Sequence, residues 1–190
     1  MNGGRTRLAV IVGSTREGRF GPTAARWFLG QARQRRDMDI DVIDLAEERL
    51  PAVLTADRPP EVEAVGRRLE AADAYVVVTA EYNHSFPASL KNAIDWFLTE
   101  WQAKPVGFVS YGGVAGGLRA VEQLRLVFAE LHAVTVRDSV SFYNYPDRFD
   151  GAGDPVDPET CNGAAKIMLD QLAWWAGALR EARARTPYGS

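Results

Sequence analysis

The feature that most limits what this chain can fold into is a set of short runs that are apolar at consecutive positions. Leu8, Ala9, Val10, Ile11 and Val12 end at Gly13, and residues 74–79 (Ala-Tyr-Val-Val-Val-Thr) make the clearest run. Val106, Gly107, Phe108, Val109 and Ser110 make another, with weaker ones at 40–43 and 133–136. A half-exposed strand alternates apolar and polar residues, whereas a strand apolar throughout is buried on both faces. The segments between the runs have helical spacing. Leu90, Ala93, Ile94, Phe97, Leu98 and Trp101 form one stripe, with Pro87 where a first-turn proline is tolerated. Val121, Leu124, Phe128 and Leu131 form a second, and Ala164, Met168, Leu172, Trp175 and Leu179 a third; residues 23–32 and 61–71 read as further helices. Five strands alternating with five helices predict a doubly wound α/β domain: a parallel sheet, compatible with order 2-1-3-4-5, with helices on both faces.

The length of 190 residues, with no repeat or dividing linker, fits one domain over residues 1–190. The 22 Lys and Arg against 25 Asp and Glu leave no basic excess, which disfavours nucleic acid as a partner. No apolar run approaches the roughly 20 residues of a membrane span, so a membrane partner is not expected. Cys161 is the one cysteine, and His84 and His132 are the two histidines, so neither a disulfide nor a multi-ligand metal site is expected. A cytoplasmic protein is the expectation. Residues 138–158 are the one long irregular stretch, either a flexible connection or an aromatic flap near a site or subunit contact. Residues 1–5 and 186–190 read as frayed tails.

In a doubly wound sheet, ligands bind at the carboxyl ends of the strands. The first such loop is Gly13-Ser14-Thr15-Arg16-Glu17-Gly18-Arg19-Phe20-Gly21. Hydroxyls, arginine forks and the amides of a helix N-terminus together suit phosphate. The loop lacks the Gly-x-Gly-x-x-Gly of dinucleotide sites. It has the Gly-x4-Gly spacing of a P-loop, but Arg19 and Phe20 stand where Lys and Ser or Thr are required. A nucleotide hydrolase is therefore disfavoured, and a terminal monophosphate that needs no magnesium remains compatible. On this loop alone, glycines that merely turn the chain beside solvated arginines stay open as the alternative.

The third loop reads Glu81-Tyr82-Asn83-His84-Ser85, followed by Pro87 and Leu90-Lys91-Asn92-Ala93-Ile94-Asp95-Trp96. The fourth has Ser110, Gly112, Gly113, Gly116 and Gly117, where the backbone can approach a flat ligand. With Gly13-Ser14-Thr15-Arg16, and Asp44-Leu45 leading to Leu50-Pro51, these motifs resemble the NAD(P)H-dependent FMN reductases of the flavodoxin-like superfamily, a group that includes quinone, chromate and azo-dye reductases. The resemblance spans about residues 8–130.

It implies a flavodoxin-like fold and roles residue by residue. Ser14 and Arg16, aided by Arg19, would hold the FMN phosphate. Glu81, Tyr82 and Asn83 would lie along the flavin ring, and Ser110, Gly112 and Gly113 would border its pyrimidine side. Ala80 departs from the proline usual before Glu-Tyr-Asn, and Arg19-Phe20 from a serine often found there. NADPH or NADH would reduce the flavin, and a small-molecule acceptor (free flavin, quinone, azo compound or metal oxyanion) would then take the electrons at the same site, a ping-pong scheme. The cofactor carries the reaction, so no catalytic side chain is expected. A homodimer or homotetramer is implied, with the 90–101 helix a candidate interface. A non-enzymatic flavodoxin-type electron carrier and a P-loop-like nucleotide protein are the rival readings; recruitment of the flavin to a biosynthetic step is a third. His84 reads as capping or packing and His132 and Cys161 as structural. Glu181 with Arg180, Arg183 and Arg185 reads as a solvated helix face, and Glu47-Glu48 as an exposed turn.

Overall fold

The apolar runs are strands of one parallel sheet. In the computed structural model, which describes residues 4–189, they are β1 (Thr6–Val12), β2 (Met38–Asp44), β3 (Ala74–Ala80), β4 (Pro105–Tyr111), β5 (Val134–Thr135) and β6 (Val140–Phe142). The order is β2-β1-β3-β4-β5, with β6 also on β4 and every pairing parallel. β3 and β4 are buried at every position, as strands covered on both faces must be. The order is the expected one, but the expected five strands are six. The place beside β4 is shared: β5 pairs with Pro105 and Val106, and β6 with Val109, Ser110 and Tyr111. Arg137, Asp138 and Ser139 interrupt the run between them, and β6 lies within the stretch read as irregular.

The helices are α1 (Gly21–Ala32), α2 (Leu45–Glu48), α3 (Pro60–Ala71), α4 (Ala88–Asp95), α5 (Leu118–Glu130) and α6 (Pro158–Arg185). α1 and α6 cover Leu8, Val10, Val76 and Val109 on one face. α3, α4 and α5 cover Ala9, Ile11, Val77 and Phe108 on the other. Gly107 in β4 lets α6 come close, since a Cβ there would stand 3.0 Å from Met168 Sδ. The 90–101 stripe is not one helix. α4 stops at Asp95, and a 3-10 turn, Thr99–Trp101, follows. Phe97 and Trp101 stay buried while Leu98 is exposed. The Trp101 indole N–H donates to the carbonyls of Ile94 (3.2 Å) and Phe97 (3.0 Å), satisfying groups that a helix end leaves unpaired.

Three expectations at the surface are corrected by ion pairs and hydrogen bonds. Arg180 pairs with Asp73 (3.1 Å) and donates to the carbonyls of Gly4 and Arg5, and Arg183 donates to Ala103 O (2.5 Å). Only Arg185 of that trio is solvated, at 73% side-chain exposure. Arg5 pairs with Asp39, and the Tyr188 hydroxyl meets His132 Nδ1 at 2.8 Å, so both described chain ends are tied down; residues 1–3 and 190 of the expected tails lie outside the described residues. Glu48 pairs with Arg68. Cys161 is buried in the first turn of α6, and burial pushes its thiol pKa up, which fits a structural role. No helix among the described residues is long and apolar enough to cross a membrane.

Candidate cofactor-binding site

Loop one leaves the sheet where the Gly13 N–H donates to Val78 O (2.9 Å) and Ser89 Oγ donates to Gly13 O (2.7 Å). Ser14 is fully buried, its hydroxyl 3.0 Å from the Tyr111 hydroxyl. Burial pushes the Tyr111 pKa up to about 12. Arg19 forms a two-pronged pair with Asp44 (2.6 and 2.8 Å) and donates to Ser14 O (2.8 Å). The Ser14 and Arg19 side chains, expected to be directed at an anion, are thus engaged within the chain; they hold the loop's shape. Asp44→Asn is expected to lower the unfolding free energy by about 1–3 kcal/mol, since it breaks a charge-assisted pair of low exposure; denaturant unfolding measures it, and an unchanged midpoint would contradict the brace.

That bracing leaves a donor set exposed. Among the described residues, the N–H groups of Ser14, Thr15, Arg16, Glu17 and Gly18 donate to no acceptor of the chain. Arg16 is exposed, and its guanidinium has no ion pair or hydrogen bond among the described residues. Consecutive unpaired amides ahead of α1, beside a free guanidinium, are the donor chemistry of a phosphate site.

In loop three, Tyr82 and Ser85 exchange two backbone hydrogen bonds of 2.9 Å, and Asn83 (φ 50°) and His84 (φ 68°) are left-handed. Positive φ at both central positions makes this a type I′ turn, a conformation that asparagine and histidine tolerate better than most residues. His84 serves through its backbone: its carbonyl accepts from Gln123 Nε2 at 2.6 Å. The Glu81 carboxylate accepts from Arg119 Nη1 (3.0 Å) and from the Arg119 amide (3.3 Å). It thereby serves the N-terminus of α5, where Gly117 as N-cap has no side chain to do so.

In loop four, the buried Ser110 hydroxyl donates to Gly116 O at 2.9 Å, so it braces the loop and does not face outward. Gly112 donates to Phe142 O and accepts from the Tyr145 amide, while Gly113 O accepts from Asn144. The Gly113 N–H has no acceptor among the described residues, and nothing lies within 4 Å of where its Cβ would be.

Arg16, Arg19, Glu81, Tyr82, Gly112 and Gly113 line one concavity of about 170 Å³, together with Phe20, Ala80, Tyr111 and Tyr145. Ser14, Asn83 and Ser110 do not line it. Larger hollows exist, one of about 380 Å³ between β2 and α3 and one of about 590 Å³ beside Thr15 and α4. Volume does not select the site; the unpaired donors at the carboxyl edge do. Sequence reasoning missed Tyr111 and Tyr145. Tyr111 directly follows Ser110, and Tyr145 belongs to residues 138–158, read either as a flexible connection or as an aromatic flap, so both signals are present in the sequence.

A family model described as NADPH-dependent FMN reductase matches residues 6–147. The chain is 31% identical over 180 residues to an NADPH:quinone oxidoreductase of Arabidopsis thaliana, covering 88% of this chain and 91% of that one. It is 36% identical over 120 residues to an NAD(P)H-dependent FMN reductase of Schizosaccharomyces pombe, covering 58% of this chain and 60% of that protein. Among solved structures, FerB, a flavoenzyme NAD(P)H:(acceptor) oxidoreductase from Paracoccus denitrificans, shares the fold, with a TM-score of 0.73 at 24% identity over 90% of this chain and 97% of FerB. The braced loop, the glycine-bordered concavity and these matches lead to one assignment: the chain belongs to the NADPH-dependent FMN reductase family.

Proposed function

We propose that the chain binds FMN as a single domain and uses it to pass electrons from NADPH or NADH to a small-molecule acceptor. The observation that carries this reading is the donor set of loop one: the unpaired amides of residues 14–18 beside the free guanidinium of Arg16. It has the charge and directionality for a terminal phosphate. When bound, FMN supplies the hydride-transfer chemistry. The chain's own part is to bind and orient. Arg16 and the loop amides hold the phosphate. Arg19, tied to Asp44, and Ser14, tied to Tyr111, fix the loop that presents those amides. Tyr82 lies along the ring, presented by the turn at Asn83 and His84, with Glu81 fixing α5 through Arg119. Gly112 and Gly113 border the pyrimidine edge, where the free Gly113 amide favours negative charge, and Ser110 keeps the loop in place through Gly116.

The site is open, so donor and acceptor use the same surface in turn. Initial rates with NADPH and a quinone are expected to give parallel double-reciprocal lines; intersecting lines would contradict a shared site. Quinone and free flavin are the acceptor classes we favour, from the names of the relatives above. Absence of any NADPH turnover in a protein that binds FMN would instead favour the electron carrier. A homodimer or homotetramer with α4 toward the partner subunit belongs to this proposal, as does a reducing, cytoplasmic setting for a chain with one cysteine; sedimentation reads the former.

A further inference from the structure

We propose that Tyr145 is a phosphate-binding residue of this site, contributing its hydroxyl from the segment between β6 and α6. The inference rests on the FMN reading above and goes beyond the loops at the ends of β1, β3 and β4.

Of the side chains in loop one that could serve an anion, Ser14 is buried against Tyr111 and Arg19 is clamped by Asp44. Phe20, at the entrance to α1, has no donor at all. Arg16 and the exposed Thr15 remain, and Thr15 lines a different hollow from the one lined by Arg16. The concavity holds three tyrosines: Tyr111, whose hydroxyl is engaged, and Tyr82 and Tyr145, whose hydroxyls make no hydrogen bond among the described residues; of these two, Tyr145 is the one whose ring packs on Phe20 at the end of loop one.

The Tyr145 ring packs on Phe20 at 4.6 Å between centroids and on Tyr111 at 5.5 Å. Phe20 is the residue that joins loop one to α1, and Tyr145 lines the same concavity as Arg16 and Arg19 of that loop. Its backbone is fixed as well. The Tyr145 amide donates to Gly112 O (3.3 Å), the Asn144 amide to Gly113 O (2.9 Å), and Phe149 packs on both Phe20 (4.9 Å) and Phe142 (4.8 Å). Asn144 adopts a left-handed φ of 44° at the start of the 3-10 turn Tyr145–Arg148, the bend that turns the chain from β6 toward loop one. Residues 142–149 are therefore a buttress of the site, and of them only Tyr145 lines the concavity.

The test is Tyr145→Phe, which keeps the ring and its packing and removes one hydroxyl. Flavin-free protein is titrated with FMN and, separately, with riboflavin, which has the same ring and no phosphate. Loss of one hydrogen bond to a charged group predicts FMN binding weakened by about tenfold or more, riboflavin binding unchanged, and the thermal midpoint of the ligand-free protein unchanged. Tyr188→Phe, at the far hydroxyl, is expected to bind FMN as the parent does. FMN affinity within twofold of the parent would overturn the proposal. Equal weakening of FMN and riboflavin would overturn it too, placing Tyr145 against the ring. If the parent protein itself does not bind FMN, the reading of the whole site fails, an outcome distinct from either.

Discussion

Arg16→Ala is expected to weaken FMN binding by roughly 10- to 100-fold, the range of one or two charge-assisted hydrogen bonds to phosphate. The ligand-free protein should keep its stability, because Arg16 is exposed and has no partner among the described residues to lose. This separates Arg16 from Arg19, whose removal would strand the Asp44 carboxylate and loosen the loop itself. Arg16→Lys keeps the charge but not the planar fork, and an intermediate affinity is expected. Arg185→Ala is the proper control, since that side chain is exposed and remote; Arg183, which binds the Ala103 carbonyl, is not. Fluorescence titration reads these three variants against the parent. Equal affinity in the Arg16 and Arg185 variants would remove loop one from the binding account.

Gly117→Ala is expected to be the most destabilising single change near the site. Gly117 has φ +87°, and an added Cβ would stand 2.6 Å from Ser110 Cβ and 2.9 Å from the Tyr111 amide. The left-handed conformation costs an L-residue about 1–2 kcal/mol, and overpacking against backbone typically costs about 1–3 kcal/mol more. Together they predict a loss of about 2–5 kcal/mol, or roughly 4–20 °C in the thermal midpoint at this chain length. Because Ser110 and Gly116 are joined across this bend, loop four should shift and flavin affinity should fall with stability. Gly113→Ala has open space around its Cβ and is expected to move stability by no more than about 0.5 kcal/mol. A thermal midpoint for Gly117→Ala as high as that of Gly113→Ala would show that the bend is not held as described.

How much of this was legible in the sequence follows from what kind of contact decides each feature. β1, β3 and β4 announce themselves, because strands buried on both faces must be apolar at consecutive positions, and helices α1, α3 and α5 lie where their periods put them. β6 escaped because three residues, Val140, Ser141 and Phe142, carry too little pattern, and its existence depends on pairing with β4. α4 looked longer than it is because a 3-10 turn can keep Phe97 and Trp101 facing the core, so the stripe survives the break. The site divides in the same way. That loops one, three and four converge was readable from sheet order. Which hydroxyls face a ligand was not: Ser14 meets Tyr111 from 97 positions away, and Arg19 meets Asp44 from 25. Among the described residues Arg16 has no such partner, something only the folded arrangement reveals.

The central claim is that loop one grips a terminal phosphate. Its most direct test is to titrate the flavin-free protein with FMN and with riboflavin under the same conditions. The account predicts saturable binding of one FMN per chain, with riboflavin weaker by about 100-fold or more, the loss of several charge-assisted bonds. Equal affinity for the two flavins, or no binding of FMN, would contradict it.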